Sequence, residues 1–164
     1  MRSHLLSSIV MGTIALMATT AMARDNVIHM MTLPTEVRGT AEIENGDTSA
    51  GIAKSLGAVN SPRAAVRAAA FANLCIGYAQ QGEYAEALEY CDKSVDENTH
   101  VWKALVNRGA VNYLLGNYTS SVNDLRRAVD LRANLTEARN NLARAERSYA
   151  SLGSNQNLAQ TPAK

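Results

Sequence analysis

The feature that most constrains this chain is an internal repeat, because the sequence matches itself when it is shifted by 34 residues. Two residue types recur three times at this offset and two more recur twice. The matching positions are Ala70, Ala104 and Ala138; Asn73, Asn107 and Asn141; Gly82 and Gly116; and Tyr84 and Tyr118. A fixed period of this length is typical of proteins built from stacked repeats, each of which packs against its neighbours.

Each repeat has the pattern of two helices joined by a glycine turn. In the first repeat, apolar residues recur at spacings of three and four on both sides of Gln81-Gly82-Glu83, and the second repeat turns at Gly116-Asn117. Such spacing is that of an amphipathic helix. Small residues lie where two antiparallel helices would approach most closely: Cys75, Ala87, Gly109, Ser121 and Ala128. The pattern predicts an all-α chain.

The segments NLCIGYAQQGEYAEALEYCDKSV and NRGAVNYLLGNYTSSVNDLRRAV resemble tetratricopeptide (TPR) repeats over about residues 68–135. The resemblance implies a short right-handed α-solenoid of two hairpins followed by a capping helix. The leader pattern described below predicts a signal peptide before it. The second repeat departs from the first because Arg108 replaces Leu74 and Asn112 replaces Tyr78. The family's proline between repeats is also missing, which predicts some irregularity.

Boundaries follow from these patterns and from changes in composition. Gly46 lies 36 residues before Gly82, and the residues after it resemble the second helix of a degenerate repeat. We predict a signal peptide at 1–23, an irregular segment at 24–45 that is mostly disordered over residues 24–38, a degenerate half-repeat helix at 46–60, TPR units at 61–101 and 102–135, a capping helix at 136–152 and a disordered tail at 153–164.

The amino terminus has the pattern of a secretory leader. Arg2 and His4 precede an uncharged stretch over residues 5–21, and Ala21-Met22-Ala23 follows as a small-x-small cleavage site. We predict cleavage after Ala23, a periplasmic or secreted product, and no stable membrane anchor after removal of the leader. A transmembrane anchor is the alternative, although the stretch is short for a span and contains Ser and Thr.

The composition and the lack of known motifs argue against catalysis, metal or cofactor binding, and nucleic-acid binding. The chain has 16 basic and 15 acidic residues, which does not favour nucleic-acid binding. Beyond the leader, only His29 and His100 are histidines, and no metal, phosphate-loop or nucleophile motif is present. We therefore predict no catalytic residues, no metal and no cofactor. The row of carboxylates between Glu83 and Asp96 has a spacing that could hold a cation, but a solvated helix face explains it more simply.

Cys75 and Cys91 are the two cysteines, and they lie equally far from the turn at Glu83. Helix axes about 8–10 Å apart leave roughly 3.5–5.5 Å between facing Cα atoms, a range that overlaps that of disulfides. An exported chain meets an oxidising compartment. We predict a disulfide, with two buried thiols as one alternative and a small envelope redox factor or enzyme using this pair as another.

The resemblance also implies that the first helices line a concave face that binds a protein or peptide. The apolar floor and the Arg-rich rim there suggest hydrophobic anchors and an acidic flank in the partner. The predicted groove residues are Ile76, Lys103, Val106, Asn107, Ala110, Tyr113, Asn140, Arg144 and Arg147.

Two alternatives to an open groove stand beside this prediction. Residues 24–33 could fill the groove and leave a purely structural subunit, with the recurring asparagines serving backbone hydrogen bonds. Self-association is also predicted as possible, because residues 83–97 are strongly acidic and residues 126–147 are rich in arginine.

Overall fold

A computed structural model describes residues 28–34, 37–97 and 100–159, with side chains as far as 152. The predicted leader with its cleavage site at Ala23, and residues 160–164 of the tail, lie outside the described residues. The regular secondary structure of the described residues is entirely α-helical. The helices are α1 Thr40–Asn45, α2 Thr48–Leu56, α3 Ala64–Gln81, α4 Tyr84–Asp96, α5 Val101–Leu114, α6 Tyr118–Leu131 and α7 Thr136–Ala159. Among the described helices, none combines the length and apolar character that crossing a bilayer requires.

Three tight turns join helices α1–α6 in pairs to form three hairpins, and each turn contains a glycine in the left-handed conformation. The φ angles are +83° at Gly46, +82° at Gly82 and +79° at Gly116. At Gly82, backbone N–H groups of the turn donate to the carbonyls of Ala79 and Tyr78, which closes the end of α3. Residues with a Cβ rarely adopt this backbone conformation, so glycine fixes the turn and with it the pairing of the two helices.

The first hairpin begins earlier than the sequence predicts. Residues 40–45 form helix α1, which packs against α2 and buries Ile43. This corrects the expectation of an irregular segment through residue 45 and of only a half-repeat after it. The capping helix is also longer than expected, because α7 continues to Ala159 where a disordered tail from residue 153 was predicted.

The first helix of each hairpin lies on the inner side of the stack. Helix α1 contacts α3, α3 contacts α5, and α5 contacts α7. Within the described residues the second helices α2, α4 and α6 do not contact one another. The stack therefore curves, with α1, α3, α5 and α7 along its concave side.

Small side chains allow the helices of each hairpin to pack closely. Gly109 shows how close the approach is, because a Cβ on this residue would lie 2.7 Å from Cγ of Leu125. The five small residues named from the sequence are all buried, and Ser121 donates a hydrogen bond to the carbonyl of Gly109 at 2.7 Å. Small residues at these positions therefore leave the room that the close approach of the two helices requires.

A charged cluster ties the two central hairpins together at Arg108, the residue that breaks the repeat pattern. Its guanidinium donates two hydrogen bonds to Asp124, at 2.8 and 2.7 Å, and a third to Asp92 at 3.0 Å. Asn112 also donates to Asp124, at 3.5 Å. The bonds to Asp124 hold the pKa of Arg108 above its usual value. Arg108 thus links α5 to α6 and to α4 of the preceding hairpin.

The same three positions in the preceding hairpin are apolar and aromatic. Leu74, Tyr78 and Tyr90 lie 34 residues before Arg108, Asn112 and Asp124. Tyr78 and Tyr90 stack with ring centroids 5.4 Å apart and planes 2° from parallel. One hairpin thus uses stacking where the next uses an ion pair, and the apparent irregularities of the second repeat are one coordinated replacement.

The structure confirms the pairing of Cys75 with Cys91 across the hairpin of α3 and α4. Their sulfur atoms are bonded, their Cα atoms lie 5.1 Å apart, and both residues are 0% exposed. The bond closes a loop across a sequence separation of 16 residues.

We expect reduction of this disulfide to lower the free energy of unfolding by about 3 kcal/mol, because the reduced unfolded chain regains the freedom of that loop. Urea denaturation with and without reductant measures the difference, and mass mapping under non-reducing conditions verifies the bond beforehand. Recovery of both thiols free in the untreated protein would contradict the pairing.

A second prediction tests the charged cluster. Asp124→Ala should cost about 2–3 kcal/mol of unfolding free energy, because it leaves a partly buried guanidinium without its main partner. The triple variant Arg108→Leu, Asn112→Tyr, Asp124→Tyr copies the preceding hairpin and should cost less than about 1 kcal/mol. Urea denaturation compares the two, and equal losses would show that the three positions do not act as a set.

Candidate binding groove on the concave side

Residues 28–34 lie along the concave side as a non-helical segment held by asparagines of α5 and α7. Asn141 accepts a hydrogen bond from the His29 N–H at 3.0 Å and donates one to the His29 carbonyl at 2.7 Å. Asn107 likewise accepts a hydrogen bond from the Met31 N–H at 2.7 Å and donates one to the Met31 carbonyl at 2.8 Å. Each side-chain amide thus satisfies both backbone groups of one residue, as a neighbouring strand would.

The geometry of the repeat matches that of an extended chain. The two asparagines occupy the same position of successive repeats, and the residues that they bind are two apart. In an extended chain, alternate residues present the same side. The repeat therefore offers a row of amide groups that an extended segment can meet at every second residue, whatever its side chains.

The third asparagine of the row, Asn73 on α3, does not bind the segment. It is 1% exposed and donates to the Thr40 hydroxyl at 2.9 Å, while its Oδ1 atom has no hydrogen-bond partner within the described residues. Thr40 belongs to α1, and Leu33 of the segment contacts α3 through its side chain instead. Helix α1 thus closes this end of the groove.

Two further polar contacts hold the segment at Thr32. The ammonium group of Lys103 donates to the Thr32 carbonyl at 2.8 Å, and the Thr32 hydroxyl donates to Glu44 at 2.6 Å. Burial lowers the pKa of Lys103, while the charge of Glu44 acts in the opposite direction. Both bonds leave the side chains of the neighbouring residues free to pack.

The apolar side chains of the segment pack against the hydrophobic core at three places. Met31 packs against the cluster that includes Leu105 and Leu125, and Met30 packs against the cluster around the disulfide. Leu33 is buried among the small residues of α3. This corrects the expectation that residues 24–38 are mostly disordered, as far as residues 28–34 are concerned, and matches the alternative of a self-filled groove.

An open cleft of about 460 Å³ remains beside the segment. Its walls combine both signs of charge with apolar surface. The lining residues are His29, Met30, Met31, Thr32, Ile43, Glu44, Ile76, Gln80, Lys103 and Glu137. The groove is therefore occupied without being completely filled.

The predicted groove residues fall into four groups. Ile76 and Lys103 line the cleft and Asn107 binds the segment, whereas Val106 and Ala110 are fully buried. Tyr113 joins α5 to α7, because it accepts a hydrogen bond from Ser148 and its ring lies 5.9 Å from the guanidinium of Arg144. Asn140 and Arg147 are exposed.

Two parts of the site escaped the prediction of groove residues: Asn141 and Glu44. Asn141 recurs with Asn107 at the 34-residue interval, and both asparagines make backbone hydrogen bonds, as the alternative of a self-filled groove predicts. As for other chemistry, no group of three His, Cys, Asp or Glu side chains suited to a metal occurs among the described residues.

We expect Asn141→Ala to loosen the segment, because the backbone groups of His29 lose both partners. The amide of His29 should then exchange with deuterium about tenfold faster, the ratio that corresponds to roughly 1.4 kcal/mol. Asn140→Ala is the matched control, since Asn140 is exposed and makes no hydrogen bond with the segment. Equal exchange in the two variants would rule out the Asn141 contact as an anchor.

Comparisons with known proteins establish the fold. No protein-family model matches the chain, and no curated protein sequence matches it. Among solved structures, the chain is similar to the first TPR of Spaghetti (RPAP3) bound to the HSP90 peptide SRMEEVD. The TM-score is 0.62 at 22% identity, over 68% of this chain and 87% of that chain. The structure is thus a TPR-like all-α fold of helical hairpins.

Proposed function

We propose that this protein is an exported, non-enzymatic TPR-like scaffold that binds an extended protein or peptide segment in its concave groove. Its own residues 28–33 occupy the groove until a partner replaces them. The observation that carries the proposal is the pair of two-way hydrogen bonds from Asn107 and Asn141 to the backbone. These bonds read the main chain and not the side chains, so another extended segment can take the same place.

The chemistry of the occupant indicates what a partner needs. Two backbone N–H groups two residues apart must be free to donate, which excludes proline at both positions. Apolar side chains at the places of Met30 and Met31 would keep the packing against the core. The similar solved structure is of a TPR bound to a peptide, which supports peptide as the class of partner.

The direction of the occupant supports a partner whose acidic residues precede its apolar stretch. The segment runs from Asn141 on α7 toward Asn107 on α5, so residues that precede the bound stretch lie near α7. Helix α7 carries Arg139, Arg144 and Arg147. A partner with acidic residues before its apolar stretch would therefore gain attraction there, more strongly at low salt.

The sequence supports export. The leader pattern ending at Ala23 is that of a secreted chain, and a disulfide persists in the periplasm or outside the cell. We propose a periplasmic or secreted location on this basis. A redox factor built on Cys75 and Cys91 is not favoured, because both sulfurs are bonded and buried where a reacting thiol cannot reach them.

The test is binding of a labelled peptide with the sequence NVIHMMTLP, which copies residues 26–34. In the full-length variant Met30→Asp, Met31→Asp, the internal segment should leave the groove, because carboxylates cannot pack against the core. Fluorescence anisotropy should show binding at least about tenfold tighter than to the unaltered chain, whose tethered segment competes at an effective concentration of about millimolar.

Two controls assign that binding to the asparagines. Adding Asn107→Ala and Asn141→Ala to the open variant should remove it, and so should N-methylation of the peptide at the residues that match His29 and Met31. A folded open variant that binds no peptide would favour the second candidate, a structural subunit for which the self-filled groove is permanent.

A further inference from the structure

We propose that Met30 and Met31 are a sulfoxidation site that releases the segment from the groove. The site deepens the proposed function, on which it rests, by supplying a means to open the groove.

The chain has few sulfur-containing residues. The chain has six methionines, at positions 1, 11, 17, 22, 30 and 31, so Met30 and Met31 are the two beyond the predicted leader. Both cysteines are joined in the disulfide, so neither presents a thiolate to an oxidant. In the chain after residue 23, the readily oxidised sulfurs are therefore the two thioethers of the groove segment.

Met30 and Met31 are accessible to a small oxidant, and both contribute to the packing that holds the segment in the groove. Both side chains line the open cleft and are only half-buried, so a small oxidant in solution has access to them. Each packs on a different part of the core, Met31 against the cluster that includes Leu105 and Met30 against the cluster around the disulfide. The same two side chains thus face solvent on one side and stabilise the docked segment on the other.

The chemistry requires a peroxide as oxidant. One oxygen atom of the peroxide is transferred to the thioether sulfur as the O–O bond breaks, which gives the sulfoxide and, from hydrogen peroxide, water. The sulfur loses two electrons and the peroxide gains them. The product is a polar side chain that no longer suits an apolar contact, which weakens the packing that holds the segment.

The experiment treats the full-length protein with dilute hydrogen peroxide and follows the amides of His29 and Met31 by hydrogen exchange. Peptide mapping locates the added oxygen. We expect sulfoxide at Met30 and Met31 and exchange of the two amides at least about tenfold faster, because they lose their protection when the segment leaves Asn141 and Asn107. Methionine sulfoxide reductase should restore the slow exchange.

The double variant Met30→Leu, Met31→Leu is the matched control, because leucine keeps apolar volume and has no sulfur. It retains the four leader methionines, so peroxide should oxidise those and leave the two amides protected. Sulfoxide at both positions with unchanged exchange would overturn the proposal, and so would failure of peroxide to oxidise either residue in the folded chain.

These readouts involve no added peptide, so they separate this inference from the proposed function. Release of the segment on oxidation, together with an open groove that binds no peptide, would contradict the binding function alone. Peptide binding to the open variant, with no response to peroxide, would contradict the sulfoxidation site alone.

Discussion

Antiparallel pairing of helices about a glycine in the left-handed conformation is the constraint on which the rest of this structure depends. Once Gly116 fixes the turn, residues equally far from it face each other. Arg108 and Asp124 lie eight residues to either side and form the central ion pair. Leu74 and Tyr90 occupy the same places about Gly82, one residue from the cysteines that form the disulfide. One backbone conformation thus sets the register in which very different side chains meet.

What the sequence could predict follows from this rule. The glycine turns and the apolar stripes are sufficient to predict the hairpins α3–α4 and α5–α6. The equal distance of the two cysteines from the turn is sufficient to predict the disulfide. Helix α1 escaped because six residues give too short a pattern, with Ile43 as its only fully buried hydrophobic side chain. The signals that worked are those in which a local feature determines a contact.

The groove segment shows the opposite case. Its backbone is held by residues 76 and 112 positions away, so no local pattern in residues 28–34 encodes its place. Its partners were visible as recurring asparagines, but a side-chain amide can serve a helix, a turn or a ligand equally well. Only the folded stack, which aligns Asn107 and Asn141 along one surface, distinguishes these roles. Asn140 and Asn141 are adjacent, but successive side chains of a helix point about 100° apart. Asn141 therefore faces the segment while Asn140 is exposed.

The same alignment determines which asparagines serve the segment. Three asparagines form the row, but Asn73 donates to Thr40 at the start of α1, whereas Asn107 and Asn141 bind the backbone of the segment. The two ends of the described segment are therefore held by different means: the backbone of His29 is bonded to Asn141, and the side chain of Leu33 is buried against α3.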